Sequence, residues 1–195
     1  GDTRTKKMGY FYADREVFRE IQESTGTFGR RHPLAFVLEA ADDIAYRTAD
    51  IEDAFKKGCI TFERLVQELK DYCPDRQDGE YEDMVRLLER RKERAVEKGM
   101  SRPDANAVQN WAVQIQGKMI RSATAGFVRH YEELMNGSYK KDLFWEMPGT
   151  LIMEALGDVA YRYAFTSAPI LKLEIGADAI FRFLLEHFVD AAIRY

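Results

Sequence analysis

The 195-residue sequence predicts an all-α fold on three grounds. Hydrophobic residues recur at three- and four-residue spacings through most of it, no stretch keeps the alternation of a strand, and only five prolines interrupt it. The pattern divides into about seven helices, an irregular multi-helix bundle without internal repeats. Hydrophobic residues make up 46% and aromatics 12%, enough for the core of one domain. Residues 1–195 therefore read as a single helical domain. Residues 1–32 form a leading segment with a short helix, 33–57 a chemically distinctive helix, and 61–195 a helical lobe.

Residues 1–12, "GDTRTKKMGYFY", have no helical period, whereas "DREVFREIQEST" reads as a short helix closed by the glycine-rich joint "GTFGRRH". Pro33 suits the first turn of the next helix, where its missing N–H costs nothing, and Gly58 suits its end. A third helix covers about 61–72 and is interrupted by Pro74 and "DRQDG". The fourth, "EYEDMVRLLERRKERAVEKG", has Met84, Leu87 and Leu88 on one side and mixed charge elsewhere. A long fifth helix is predicted from near Asp104 to Met135, ending at "NGSY". A sixth spans about 148–165, and Pro169 opens a seventh that is apolar along much of its length.

The net charge of −4 gives no indication of nucleic-acid binding. No apolar run approaches the ~18 residues of a membrane span, and no secretory leader is visible. The expectation is a cytoplasmic chain. Cys59 and Cys73 lie fourteen apart and form no metal-type pair, so two free thiols are expected rather than a disulfide.

The helix "PLAFVLEAADDIAYRTADIEDAFKKG" is the unusual element. It carries Glu39, Asp42, Asp43, Asp50, Glu52 and Asp53, and Arg47 is its only base before Lys56. Like charges four apart destabilise a helix, and a surface helix normally interleaves lysine among its acids. At 100° per residue, Val37, Ala41, Ile44, Ala45, Ile51 and Phe55 fall on one side, the expected buried face. Glu39, Asp42, Tyr46, Asp50 and Asp53 fall on the other. Asp42, Tyr46 and Asp50 make a ladder about 12 Å tall. The acids read either as a solvated face or as a cation site, because carboxylates suit hard divalent ions. A tyrosine one turn along offers a ring and a hydroxyl to a ligand.

The run "EAADDIAY…ADIEDA", together with "FVRHYEELMNGSY" and "ILKLEIGADAIFRFLLEHF", resembles the dGTP triphosphohydrolases of the HD-domain superfamily. In those enzymes a histidine, a His-Asp doublet and a later aspartate hold the metal. The resemblance implies that Asp42 is that last ligand, that Tyr46 lies against the deoxyribose, and that Asp50 receives the sugar 3′-hydroxyl. It also implies that Phe165 and Glu174 lie on the nucleobase side. Lys118 and Arg121, one turn apart, are candidates for neutralising the triphosphate. The implied cofactor is Mg²⁺ or Mn²⁺, with Fe²⁺, Co²⁺ and Ni²⁺ also open. The implied partners are a deoxynucleoside triphosphate and further copies of the chain in a homo-oligomer.

The sequence departs from that family in carrying no His-Asp doublet. His32, His130 and His187 are far apart, and none is followed by an acid. His32 reads as a joint residue and the other two as ordinary helix residues. The upstream half with the other ligands and the family's closing segment are not in the sequence. The expectation is the C-terminal lobe of an HD-domain phosphohydrolase, inactive by itself. Alternative readings are a non-catalytic dNTP-binding module or an oligomerisation module.

Overall fold

The computed structural model describes residues 9–72 and 78–194. Lys6 to Met8 of the leading segment, Cys73 and Pro74 lie outside them. After a single 3₁₀ turn at Tyr12–Asp14, eight α-helices follow: α1 Arg15–Thr25, α2 Pro33–Lys56, α3 Phe62–Tyr72, α4 Gly79–Glu97, α5 Pro103–Arg129, α6 Tyr131–Met135, α7 Thr150–Ala160 and α8 Ala168–Arg194. A π-helical turn, Tyr161–Phe165, joins α7 to α8. No strand occurs among the described residues. None of their helices is long and apolar enough to cross a membrane.

Local chemistry sets the ends of these helices. Pro33 occupies the first turn of α2, and the His32 imidazole caps it by accepting the Leu34 amide at 3.1 Å. Asp78 caps α4 by accepting from the Glu80 and Tyr81 amides. Gly58 follows α2 at φ 70°, a left-handed geometry that only glycine adopts without strain.

The count is eight helices rather than about seven, because the predicted helix to Met135 breaks at His130. There φ is −105° and ψ 19°, and the five-residue α6 sets off in a new direction. The His130 and Leu134 amides still bond to the carbonyls four residues back, so the hydrophobic period continues across the break and conceals it. The His130 ring stacks on Tyr139 at 4.7 Å, tying the turn to the following loop. The Tyr139 hydroxyl bonds to the Asp142 carbonyl, and burial pushes its pKa up to about 12.

The core lies between α2, α3, α4, α5 and α7. Leu65, Leu69, Leu88, Ile115, Met119, Ile152 and Leu156 are fully enclosed. Helices α4 and α5 run antiparallel. Lys92 pairs with Asp104 at 2.9 Å, the Trp111 indole donates to the Met84 carbonyl at 2.8 Å, and Lys118 reaches Glu80 at 3.9 Å. Cys59 is a free thiol. Among the residues whose burial is described, α1 and α8 contribute none to the core.

The buried face of α2 also differs from the expected one. It comprises Phe36, Glu39, Ala40, Ile44, Thr48, Ile51 and Ala54, whereas Val37, Ala41 and Ala45 face outward. The helix is turned by about a quarter of a revolution relative to a purely apolar face. Glu39, placed outward by the apolar-face reading, lies inside and marks the difference. Glu39 pairs with Arg31 at 2.5 Å, and Thr48 accepts from Gln116 of α5 at 2.7 Å.

Two glycines test this packing. A side chain on Gly126 of α5 would collide with the Leu143 carbonyl and lie 3.3 Å from Met147 Cγ. One on Gly157 of α7 would meet only the guanidinium tip of Arg47, which can swing aside. Gly126→Ala should destabilise the protein by about 1–3 kcal/mol through overpacking against backbone. Gly157→Ala should cost much less. Urea unfolding midpoints of the two variants compare them directly, and equal midpoints would contradict the close approach at Gly126.

Candidate functional site

The site is built on the outward face of α2 and the joint that precedes it. A cavity of about 560 Å³ opens between α1 and the first half of α2, lined by Phe18, Ile21, Arg31, His32, Leu38 and Asp42 among others. The α1 side contributes Phe18 and Ile21, and the joint and α2 contribute Arg31, His32, Glu39 and Asp42.

Arg31 and Glu39 form part of the polar wall. Both are nearly enclosed, with side chains 7% and 6% exposed. The guanidinium also donates to the Ala35 carbonyl at 3.3 Å and lies over the Phe36 ring at 4.8 Å. A buried charge without a partner costs several kcal/mol, so the two residues must enter the fold together. They lock the joint to the first turns of α2 and so fix where the chain meets the cavity.

Asp42 lies on the exposed face of α2 and lines the cavity. One turn along, Tyr46 stands 63% exposed, directed away from the core. Asp50, a further turn on, is half-buried. Burial holds its carboxyl above the usual carboxylate range; Arg47 draws it down and Asp53 pushes it further up. The ladder read from the sequence thus stands on one helix, with its phenol turned outward and its last acid in a costly position.

The residues expected on the nucleobase side are held differently. Phe165 ends the π turn, which packs on α2, and is about half exposed. The turn is fastened to α3 through Glu68, a buried carboxylate that accepts the Tyr163 hydroxyl at 2.6 Å and pairs with Arg64 and Arg162. Arg162 also holds Asp158 at 2.6 Å. Burial pushes the Glu68 carboxyl up, but the Tyr163 hydroxyl and the two guanidiniums outweigh it, so it titrates below the usual carboxylate range. Because α3 follows the C-terminal end of α2, Phe165 belongs to that end and the cavity to the other.

Other expected residues do not join this face. Lys118 is turned to α4 and paired with Glu80, while Gln116 is the α5 side chain that reaches α2. Arg121 is exposed on α5, and Glu174 is exposed on α8. Sequence reasoning missed the Arg31–Glu39 pair, because Arg31 lies outside the helix and helical spacing says nothing of it. It also missed Glu68, whose only signal was an i,i+4 arginine common on solvated helices.

The donor set does not by itself suit a divalent ion. Among the described residues no three histidine, cysteine or acidic side chains converge as metal ligands. Hard cations take six or more oxygens, of which Asp42 supplies at most two.

No family model matches the chain. Over 193 residues it is 30% identical to a deoxyguanosinetriphosphate triphosphohydrolase-like protein of Listeria monocytogenes, a match covering 98% of this chain and 40% of that protein. It is 28% identical over 197 residues to a probable deoxyguanosinetriphosphate triphosphohydrolase of Pseudomonas aeruginosa, covering 94% and 39%. With the deoxyguanosinetriphosphate triphosphohydrolase of Yersinia enterocolitica the identity is 25% over 189 residues, covering 93% and 36%. The chain spans about two fifths of the length of the curated relatives it matches. Along nearly all of its own length, this chain is a relative of the dGTP triphosphohydrolases and dGTP triphosphohydrolase-like proteins.

Proposed function

We propose that the chain is the part of a dNTP triphosphohydrolase that grips the sugar of its substrate. The intact protein would hydrolyse dGTP, or another dNTP, to the deoxynucleoside and tripolyphosphate. In that reaction the bond between the α-phosphorus and the sugar 5′-oxygen breaks, water supplies the new oxygen on phosphorus, and the 5′-oxygen leaves with a proton. The observation that carries the reading is the Asp42–Tyr46–Asp50 stripe along one side of α2, with Asp42 lining a cavity and Tyr46 exposed. The relatives' names support the same reaction class.

Each residue has a role that its position supports. Tyr46 offers a flat face to the deoxyribose, where a 2′-hydroxyl would collide. Asp50 accepts the 3′-hydroxyl in a charge-assisted hydrogen bond of roughly 1.5–3 kcal/mol. Asp42 contributes one oxygen ligand to a divalent ion, Mg²⁺ or Mn²⁺, whose other ligands lie outside this chain. That ion would supply electrophilic activation of the phosphate when bound. The 195 residues alone are therefore inactive, and the protein acts in the cytoplasm.

A second reading concerns assembly. Leu173, Ile175, Phe181, Phe188 and Ile193 of α8 are 64–78% exposed, a surface that favours burial against a neighbour in a homo-oligomer. Light scattering of the isolated chain tests this: a monodisperse monomer at tens of micromolar would count against it.

Three outcomes are expected of the main reading. The 195-residue chain incubated with dGTP and Mn²⁺ should release no tripolyphosphate at enzymatic rates, whereas a protein carrying it together with the rest of the relatives' length should. In that longer protein Asp42→Ala should lower kcat by at least 10²-fold, as loss of an electrostatic partner of the reacting phosphate does. Tyr46→Ala should narrow the ratio of dGTP to GTP turnover.

Asp50 yields a further test, through stability. Its folded carboxyl titrates above the unfolded one, so its protonated form stabilises the fold below the ordinary carboxylate pKa. That contribution is lost as pH rises through the raised value. Asp50→Asn should therefore unfold at higher urea than the natural chain at pH 7, and the gap should close towards pH 3. A variant less stable at pH 7 would show that the Asp50 charge is favourable.

A further inference from the structure

We propose that His32 is a further substrate-contacting residue, whose Nε2–H donates to an outer phosphate oxygen of the triphosphate. The inference rests on the sugar-grip reading above.

His32 Nδ1 accepts the Leu34 amide at 3.1 Å. A backbone N–H only donates, so Nδ1 is bare and the neutral ring carries its proton on Nε2. The cap thus fixes the tautomer and makes the free end of the ring a donor. No described residue engages Nε2, although the same ring lines the cavity with Asp42. The other two bases of that wall are committed elsewhere: Arg31 to Glu39 and Ala35, and Arg30 to the Asn136 carbonyl at 2.7 Å.

Helix geometry then sets the order along the substrate. The 3′-hydroxyl and the 5′-phosphates leave opposite sides of a deoxyribose. With the 3′-hydroxyl on Asp50 and the ring on Tyr46, the phosphates run towards the start of α2. They pass Asp42 and head for His32, about 15 Å further along the axis. Side chains close that gap from both ends. Helical side chains lean towards the N-terminus, which carries Asp42 forward, and the capping bond folds the His32 ring back over the first turn. His32 stands about 21 Å along the axis from Tyr46, too far to serve the sugar and on the side to which the phosphates run. A phosphate oxygen is also the chemistry that an N–H donor recognises best, because the acceptor is charged.

The cap and the contact can be separated. Asparagine is among the best N-cap residues, so His32→Asn keeps the cap and removes the Nε2 donor, while His32→Ala removes both. In the dGTP-hydrolysing protein, His32→Asn should raise KM for dGTP about tenfold. It should weaken inhibition by inorganic tripolyphosphate similarly, and leave inhibition by deoxyguanosine and the urea midpoint unchanged. A KM equal to that of the natural protein would overturn the proposal and leave His32 a cap only. Weakened deoxyguanosine inhibition would also overturn it, by moving His32 to the sugar or base. A measurement without substitution is the His32 ring ¹⁵N shift of the 195-residue chain on adding tripolyphosphate. Movement of Nε2 supports the contact, and no movement at saturating tripolyphosphate opposes it. Should the natural, longer protein fail to hydrolyse dGTP at all, the reading on which this rests is what has failed.

Discussion

The positions of Asp42, Tyr46 and Asp50 depend on how α2 is held between α5 and α7. Ile44, Thr48, Ile51 and Ala54 fill that interface, and Gly157 lets α7 come close enough for the Arg47 guanidinium to lie where a side chain would stand. A helix is rigid about its axis, so clamping one face determines the direction of the other. The outward aim of Asp42 and Tyr46 follows from contacts in which neither takes part. This arrangement suits a ligand-gripping surface: the scaffold carries the precision and the gripping residues remain free of structural duty.

The sequence revealed the helix and its acids well, but the rotation of the helix less well. Pro33, Gly58 and the alternation of Ile44 and Ile51 located α2 to within a residue, because capping chemistry and burial of large aliphatic groups are local and strong. The rotation depended on Glu39, which the apolar-face reading assigns outward. It lies inside because Arg31 pairs with it, and Arg31 comes from the joint before the helix. The break at His130 was hidden for a related reason, since the turn is held by Tyr139, nine residues on, and not by any change in the period. Spacing and resemblance together singled out Asp42, Tyr46 and Asp50, and the structure leaves Asp42 and Tyr46 exposed and Asp50 half-buried along α2. His32 was visible only as a residue at a joint, because its capping of α2 needs a hydrogen bond to be seen.

Buried charge is distributed with some economy. Arg31–Glu39 and the Glu68 cluster each place an acid in the interior and surround it with donors, which offsets desolvation and leaves a geometry that a sliding apolar contact would not enforce. Asp50 is the contrasting case. Its carboxyl is held above its ordinary range, with Arg47 only partly compensating, so its charge is maintained at a cost to the fold. An acid that the scaffold does not need, in a position that the scaffold disfavours, is a mark of a group kept for a ligand.

The two ends of α2 are also held with different firmness, which bears on how such a site would work. At the C-terminal end the π turn bearing Phe165 is tied to α3 by Tyr163 and Arg162, both held by the buried Glu68 carboxylate. At the N-terminal end the outer wall of the cavity is α1, which contributes no buried residue and leaves Val17 and Ile21 about half exposed. Local stability follows buried contact, so α1 yields before the π turn does. A nucleotide laid along α2 with its phosphates towards His32 would thus meet a preformed surface at the base and a yielding one at the phosphates. Closure upon the substrate would then be concentrated at the end where water must be excluded from all but the attacking position, and discrimination between bases would rest on groups that do not move.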